Sequence, residues 1–523
     1  MHQRAIMCLE RPAKLYPEKL AVIDAHHRMT YGEFAAGVNR LANGLGTAGV
    51  GRGDAVAVLC VNHHRYLQLY FACHALGAVI VPLNIRLMPP EIVYILNDSR
   101  TKLLFIDRPF LGHLETIRDG ARHLDDVYYS DFDEVPEGLL PFTDLVKGQS
   151  DAFEPEPTAD DDVMGYFYTG GTTGEPKGVM LTNRNLVSNA FHLQSMIHYG
   201  PDDRYLHIAP MFHLADAASI YALTMVGGVH VFGRAFEPKL TLELVQEHRV
   251  TMLILVPTMV NFVLAHADFG RYDLTSLRHF LYGASPMPVP LLRRAIEKIP
   301  CLPLQGYGMT EAAPLVSSLS GEDHRRGYED PAMAWLLGTA GQPVPGVEMK
   351  IVNPEGREVN VGEAGEIIVR GPNIMKGYLN KPEATAEAIR NGWYHSGDVA
   401  IRNECGYFTI VDRMKDMIIS GGENIYTTEV ENVIMQFPGM LETTVVGVPD
   451  DQWGEVVRAF VVMKPHEAAG EAEIIEFCRQ RLAHYKCPKA VEFLTELPKS
   501  GAGKILKREL RKAYWGDKQR QVN

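Results

Sequence analysis

The densest chemical signal in the sequence is the run Tyr168-Thr169-Gly170-Gly171-Thr172-Thr173-Gly174-Glu175-Pro176-Lys177-Gly178, which follows the strand-like Val163 to Phe167. Glycines let backbone N–H groups converge on an anion, threonines add hydroxyl donors and Lys177 adds charge, so the run reads as a polyphosphate cradle. Its spacing is not Gly-x-x-x-x-Gly-Lys-Ser/Thr, so it is not a Walker A loop. A Gly-rich surface loop would explain the glycines but not the donors packed among them. Further along, Gln305-Gly306-Tyr307-Gly308-Met309-Thr310-Glu311 brings an aromatic face, a hydroxyl and a carboxylate together. Those groups suit a purine, a phosphate and a hard cation, although a turn capped by Thr310 with Glu311 in solvent has the same composition. Three weaker signals follow. Asp398 succeeds Gly397, a pairing common in turns. Arg413 and Lys415 would ordinarily be a solvated pair. Lys504 sits on a Gly-rich loop, Pro498-Lys499-Ser500-Gly501-Ala502-Gly503-Lys504-Ile505.

These groups need a scaffold, and the pattern of apolar residues supplies one. Short Val/Ile/Leu-rich runs recur at 55–61, 78–81, 103–106, 205–209, 229–232 and 252–256, alternating with amphipathic stretches at 31–48, 66–76 and 240–249. Strand and helix in alternation predict an α/β fold with mostly parallel sheets flanked by helices. After about Leu336 frequent Gly and Pro punctuate short β-like runs, which predicts a β-barrel-like subdomain over 337–411. From about 413 the pattern becomes that of a compact α+β unit. The expected division is therefore a large N-terminal domain, 1–412, and a small mobile C-terminal domain, 413–523.

The 523 residues are enough to bury large cores, and 46% hydrophobic against 22% charged residues is ordinary for a globular protein. A net charge of -13 opposes unspecific attraction to nucleic acid. Yet residues 479–523 carry twelve Lys or Arg against four acids, and Lys504 lies among them. Seven scattered cysteines without a Cys-x-x-Cys pair suggest neither a disulfide framework nor zinc, and fit a reducing cytoplasm. The longest uncharged apolar stretch, 217–229, is too short for a membrane span.

The phosphate loop is similar to that of the adenylate-forming superfamily, which includes acyl-CoA synthetases, luciferases and peptide-synthetase adenylation domains. The resemblance extends in family order over about residues 10 to 515. It implies that Thr169, Gly170, Gly171, Thr172, Thr173, Gly174 and Lys177 cradle the phosphates of ATP. It also implies that Tyr307, within Gln305-Gly306-Tyr307-Gly308, stacks on adenine, that Thr310 meets the α-phosphate and that Glu311 holds Mg²⁺. The segment Tyr282-Gly283-Ala284-Ser285-Pro286 resembles the one lining the adenine and acyl sites. Asp398, in Gly392-Trp393-Tyr394-His395-Ser396-Gly397-Asp398, would bind both ribose hydroxyls, a role suited to an acceptor-only carboxylate. Arg413 would reach the ribose, Lys415 would be the hinge, and Lys504 would bridge the substrate carboxylate and the α-phosphate. Two departures are Gly170, where many members have Ser, and the loop before Lys504, which differs from the commoner Thr-Pro-Ser-Gly.

The implied chemistry is attack of a carboxylate on ATP to give acyl-AMP and pyrophosphate, followed by transfer of the acyl group to the thiol of coenzyme A. Such a reaction needs alignment and charge neutralisation more than a protein nucleophile. The small domain would rotate about Lys415 between the two steps, bringing Gly421, Gly422 and Glu423 to a pantetheine tunnel. His213 would border the carboxylate or thiol path, with Leu214 and Ala215 as an apolar floor. Hydroxycinnamate ligases often carry tyrosine at the Ala215 position, so a medium- or long-chain fatty acid is the expected substrate. An aromatic acid, or loading of a carrier protein, is the alternative. Asp216, in an apolar stretch, either pairs with a polar substrate group or faces a buried partner. The expected partners are thus the acid, ATP and coenzyme A, without nucleic acid or a membrane span; a homodimer is compatible with the sequence.

Overall fold

The computed structural model describes residues 3–25, 27–169, 175–501 and 503–515. Among these residues the apolar runs become the centres of two large sheets. One has nine strands, ordered Gln342–Pro343, Leu315–Leu319, Leu302–Gly308, His279–Gly283, Met252–Ile254, Arg204–His207, Val229–Phe232, Leu20–Ile23 and Arg28–Thr30. The other has eight, ordered Gly377–Tyr378, Lys177–Thr182, Val163–Thr169, Val79–Pro82, Ala55–Leu59, Leu103–Ile106, Asp126–Tyr129 and Leu140–Pro141. Their central strands pair in parallel, as at Phe280 beside Pro303 and Val56 beside Ile80; antiparallel strands close both edges of the first sheet and the Gly377–Tyr378 edge of the second, whose Leu140–Pro141 edge stays parallel. Every residue of Ala55–Leu59 is buried, as expected where helices cover both faces of a parallel sheet.

Two helices share the principal core with both sheets, His64–Leu76 and Leu214–Val226. Both are buried nearly all round, so the amphipathic face expected of 66–76 is not found: the helix is enclosed on all sides and its polar residues Gln68 and His74 are buried as well. The apolar stretch at 217–229 is divided by Gly227, whose left-handed φ of 81° ends the second helix before the strand Val229–Phe232. Capping chemistry fixes other starts: Thr30 and Glu33 form a reciprocal box ahead of the helix Tyr31–Thr47.

A third sheet is antiparallel, built from Glu348–Val352, Ala364–Arg370, Trp393–Arg402 and Ile389–Arg390, with Phe408–Arg413 pairing to Trp393–Arg402. This is the barrel-like unit that the Gly and Pro spacing predicts. Gln342–Pro343 belongs to the nine-stranded sheet instead, so the third sheet starts at Glu348. The last unit has its own sheet, Glu423–Ile425, Ile418–Ser420, Gly454–Met463 and Met440–Asp450, with Ala490–Phe493 parallel to Gly454–Met463. The helices Thr427–Ile434 and Glu471–Arg479 pack a separate apolar cluster onto it, including Ile418, Val430, Ile434, Val457 and Ile474. Among the described residues no helix is long and apolar enough to cross a membrane.

Candidate active site

A cleft of about 2130 Å³ runs between the strand ends of the large domain, the antiparallel sheet and the small domain. That exceeds the several hundred Å³ a single small ligand needs and leaves room for a nucleotide and a second substrate together. The parallel strands Leu302–Gly308 and His279–Gly283 deliver their C-terminal residues to it, the usual position of a ligand in an open α/β sheet. Close strand approach demands glycine here. A Cβ on Gly283 would lie 2.2 Å from the Gly306 carbonyl oxygen, and one on Gly308 would lie 1.8 Å from that of Pro314.

Asp398 is placed by a cross-strand pair with Arg413. Gly397 precedes it at φ 70°, a left-handed conformation that Glu366 braces by accepting from the Gly397 N–H at 3.1 Å. The Tyr307 hydroxyl donates to Asp398 Oδ2 at 2.8 Å, and Arg413 Nε lies 3.2 Å from Oδ1. Burial, and then Asp398, hold the Tyr307 phenol well above its ordinary pKa, so it is a neutral donor. Asp398 in turn keeps Arg413 firmly charged.

Glu311 accepts from the Tyr378 hydroxyl at 2.9 Å through Oε1. The Tyr378 ring also lies 4.9 Å from Lys177 Nζ, so one tyrosine joins the lysine of the phosphate loop to the candidate metal ligand. Its sequence context carries no motif signal. Of the loop itself, Thr169 and Lys177 end paired strands and line the cleft. Gly170, Gly171, Thr172, Thr173 and Gly174 lie outside the described residues.

Lys504 reaches the same cleft from the small domain. Its loop is closed by Ser500, whose N–H donates to the Lys504 carbonyl at 2.7 Å and whose carbonyl accepts from Gly503 N–H at 2.9 Å. The loop docks on the large domain: Arg86 donates to the Ser500 carbonyl at 3.1 Å, and Gly501 packs so closely on Asn84 that a Cβ would lie 2.1 Å from its Oδ1. Neither Asn84 nor Arg86 is flagged by any sequence motif. Burial, and then the Arg413 charge, lower the Lys504 pKa to about 8, against the pull of Asp398 and Glu311. Burial and Arg413 bring Lys415 to about 8 as well.

Lys415 sits at the joint between the two domains. Arg511 donates to its carbonyl at 3.0 Å. Just before it, Asp412 accepts from Thr427 N–H at 2.6 Å and from the Thr427 hydroxyl at 3.1 Å, tying the last strand of the third sheet to the first helix of the small domain. Burial raises Asp412 to about 6 although Lys507 stands nearby.

His213 caps the helix Leu214–Val226, its Nδ1 accepting from Ala215 N–H at 3.1 Å. Burial lowers its pKa to about 3, with Lys504 adding to the effect, so the ring is neutral. Because Nδ1 is an acceptor, the proton resides on Nε2, and His213 is a donor rather than a base. Phe212, Leu214, Ala215, Ala218, Leu193 and Met309 add an apolar wall to the cleft. Asp216 points away from it. Its Oδ2 meets His207 Nδ1 at 2.6 Å, and Tyr205 donates to Oδ1 at 3.2 Å. His207 Nε2 meets His230 Nδ1 at 2.9 Å, and His230 Nε2 meets Thr224 Oγ1 at 2.9 Å. Asp216 therefore faces buried partners, one of the two roles its sequence context allows.

Gly283, Ala284, Ser285, Gln305, Gly306, Tyr307, Gly308, Thr310, Glu311, Asp398, Arg413, Lys415, Lys504 and His213 thus border one cleft. Gly421, Gly422 and Glu423 do not. They form the exposed turn between Ile418–Ser420 and Glu423–Ile425, where Gly421 packs on Trp453.

The family model described as AMP-binding enzyme matches residues 9–379, and that of the AMP-binding enzyme C-terminal domain matches 429–504. A feruloyl-CoA synthase of Amycolatopsis is 43% identical, over 96% of this chain and 98% of its own. A long-chain fatty acid–CoA ligase of Mycobacterium tuberculosis is 36% identical, over 93% of each. A solved anthranilate CoA ligase in complex with anthranoyl-AMP superposes with a TM-score of 0.91 at 28% identity, over 98% of this chain and 97% of its own. The chain belongs to the AMP-binding enzyme family, the adenylate-forming superfamily its motifs resemble, and is an AMP-forming acid–thiol ligase.

Proposed function

We propose that the protein joins an aromatic carboxylic acid of the hydroxycinnamate type to coenzyme A through an acyl-AMP. The observation that carries the two-step reading is the convergence of Lys504 from the small domain with Glu311 and Asp398 from the large one and with Arg413 at the joint between them. In the first step a carboxylate oxygen bonds to the α-phosphorus of ATP as the bond to pyrophosphate breaks. Tyr307 and the 283–285 backbone flank the base, Asp398 accepts the ribose hydroxyls, and Lys177 with residues 169–174 holds the outer phosphates. The Lys504 ammonium and the His213 Nε2–H draw the acid against the α-phosphate, beside Thr310. In the second step the thiolate of coenzyme A attacks the acyl carbonyl and AMP leaves. Lys504 obstructs that approach, so the small domain rotates about Lys415 and turns the Gly421-Gly422-Glu423 face inward.

The donor set suits Mg²⁺. Glu311 commits one oxygen to Tyr378, and one carboxylate completed by substrate phosphates is the common way a protein holds this ion. When bound, Mg²⁺ offsets the charge that develops on the phosphates.

One observation supports an aromatic acid. The feruloyl-CoA synthase is more alike than the fatty acid ligase, 43% against 36% identity. This reverses the order expected from Ala215 alone. A medium- or long-chain fatty acid is the second reading, favoured by the small side chains of Ala215 and Ala218 in the cleft wall. A panel of hydroxycinnamates, benzoates and C8 to C18 fatty acids, assayed for kcat/KM with ATP and coenzyme A, decides between them. Highest efficiency with fatty acids overturns the aromatic reading. Acyl-AMP formation with no transfer to coenzyme A, but transfer to a carrier protein, overturns the thiol acceptor.

A further inference from the structure

Among the described residues the large domain carries two clusters of metal-ligating side chains outside the active-site cleft, and they differ in their exposure to solvent. Cys60, His63 and Asp107 are buried and internally bonded. His63 Nδ1 accepts from Tyr66 N–H at 3.2 Å, its Nε2 meets Asp107 Oδ2 at 3.2 Å, and Asp107 also accepts from Val61 N–H at 3.0 Å. Every donor there has a protein partner, and burial pushes the Cys60 thiol well up, so this cluster is structural.

The second cluster comprises Asp24, His27 and His64. It joins the turn between Leu20–Ile23 and Arg28–Thr30 to the first residue of the helix His64–Leu76. One ligand atom from each of the three lies within 4.8 Å of the other two. The Asp24 carboxylate is held in place by backbone donors, His27 N–H at 2.9 Å on Oδ1 and His64 N–H at 3.3 Å on Oδ2. His64 Nδ1 contacts the same Oδ2, and His27 Nδ1 lies 3.9 Å from Oδ1. The two imidazole centroids are 4.5 Å apart, and Phe132 packs on both rings. The Asp24 and His64 side chains are 4% exposed and that of His27 is 44% exposed, so the cluster is dry on one side and open to solvent on the other.

We propose that Asp24, His27 and His64 form a binding site for a divalent transition-metal ion such as Zn²⁺. Two imidazoles and a carboxylate suit Zn²⁺, Co²⁺ or Ni²⁺ better than Mg²⁺ or Ca²⁺, which prefer oxygen alone. An ion about 2.1 Å from each donor needs donor separations of roughly 3.4 Å in tetrahedral geometry, which small ring rotations achieve from this arrangement. Among the described residues the cluster supplies three protein ligands, and its His27 side is open to solvent. The ion clips the edge of the nine-stranded sheet to the loop that carries Asn62. That residue holds the 207–211 segment ahead of His213, donating to the Ala209 carbonyl at 2.8 Å and accepting from Met211 N–H at 2.9 Å. The clip is thus structural, one loop removed from the acyl wall.

The test uses the full chain stripped with a chelator and titrated with Co²⁺ under excess Mg²⁺, without nucleotide, so that oxygen sites remain occupied by Mg²⁺. The expected result is one equivalent of Co²⁺ giving visible d–d absorption, displaced by Zn²⁺, with a rise in the thermal midpoint. His27→Ala, at a half-exposed position, and Asp24→Asn are each expected to weaken binding by about tenfold or more. His123→Ala, at an exposed site elsewhere, leaves it unchanged. Absence of saturable Co²⁺ and Zn²⁺ binding in the unsubstituted chain overturns the proposal. So does binding that survives both His27→Ala and Asp24→Asn.

Discussion

The polar groups beneath the acyl wall and those at the seam between the domains are built on opposite plans. Beneath the wall, Asp216, His207, His230 and Thr224 form a chain in which each member supplies what the next requires, ending where the Thr224 hydroxyl donates to the Ile220 carbonyl at 2.6 Å. Nothing in that chain awaits a ligand. At the seam, Lys504, Lys415 and Arg413 crowd together, and the two lysines are depressed to about 8. Three cations share this seam with Asp398, Glu311 and Asp416, an arrangement that suits a polyanionic ligand. A satisfied network fixes a wall, whereas a cluster of like charges marks a surface suited to an anionic ligand.

The comparison is broken most severely at Asp216. Asp216→Ala leaves His207 without its buried partner and is expected to cost about 3–5 kcal/mol of folding stability, read from denaturant unfolding. A loss below about 1 kcal/mol would show that the chain is not what holds the wall.

Lys504→Ala tests the seam. The acyl-adenylate step should slow by about a hundred- to a thousandfold, the scale for removing one preorganised charge partner. Transfer to coenzyme A from supplied acyl-AMP should change far less. Equal loss in both steps would remove Lys504 from the adenylation chemistry.

Ala215→Tyr narrows the apolar end of the cleft. It is expected to change the ratio of kcat/KM between fatty and hydroxycinnamic acids by about 10- to 200-fold in favour of the aromatic acid. An unchanged ratio would mean that Ala215 does not line the acyl path.

The smallest effect is also the most specific, because activity and stability should move in opposite directions. With Lys504 at about 8 in the free enzyme, the ammonium is lost as pH rises through that value, and kcat/KM for adenylation should fall by about tenfold per unit above it. Between about 8 and the ordinary lysine value of 10.5 the unfolded chain binds more protons at this residue than the folded one, so this group's contribution to stability rises with pH. Lys504→Arg should shift the descending limb of the rate profile upward. A limb unmoved by that substitution would assign it to another group.

Much of this organisation is legible in the chain. Alternating apolar runs at 55–61 and 103–106 emerge as strands Ala55–Leu59 and Leu103–Ile106, because a strand buried on both faces needs nothing beyond its own residues and neighbours of the same kind. The motifs at 305–311, 392–398 and 412–416 overlap the strands Leu302–Gly308, Trp393–Arg402 and Phe408–Arg413, so each functional residue rides on a strand or on the turn directly after it. Tyr378 is different. Its bond to Glu311 spans 67 positions and no local pattern anticipates it. The same holds for Asn84 and Arg86, which receive the Lys504 loop from more than 400 residues away.

The sequence by itself therefore determined the order of the elements, the types of side chain that reach the cleft and the family, because those reside in local spacing and in the type of each side chain. Only the tertiary structure decided where Asp216 points, that Lys504 lies in the cleft while Gly421, Gly422 and Glu423 lie outside it, and that Asp24, His27 and His64 meet. The reason is physical. Burial and charge proximity depend on which distant segments pack together, and the same aspartate or histidine is a solvated surface group, a closed link or a ligand according to what the fold sets against it.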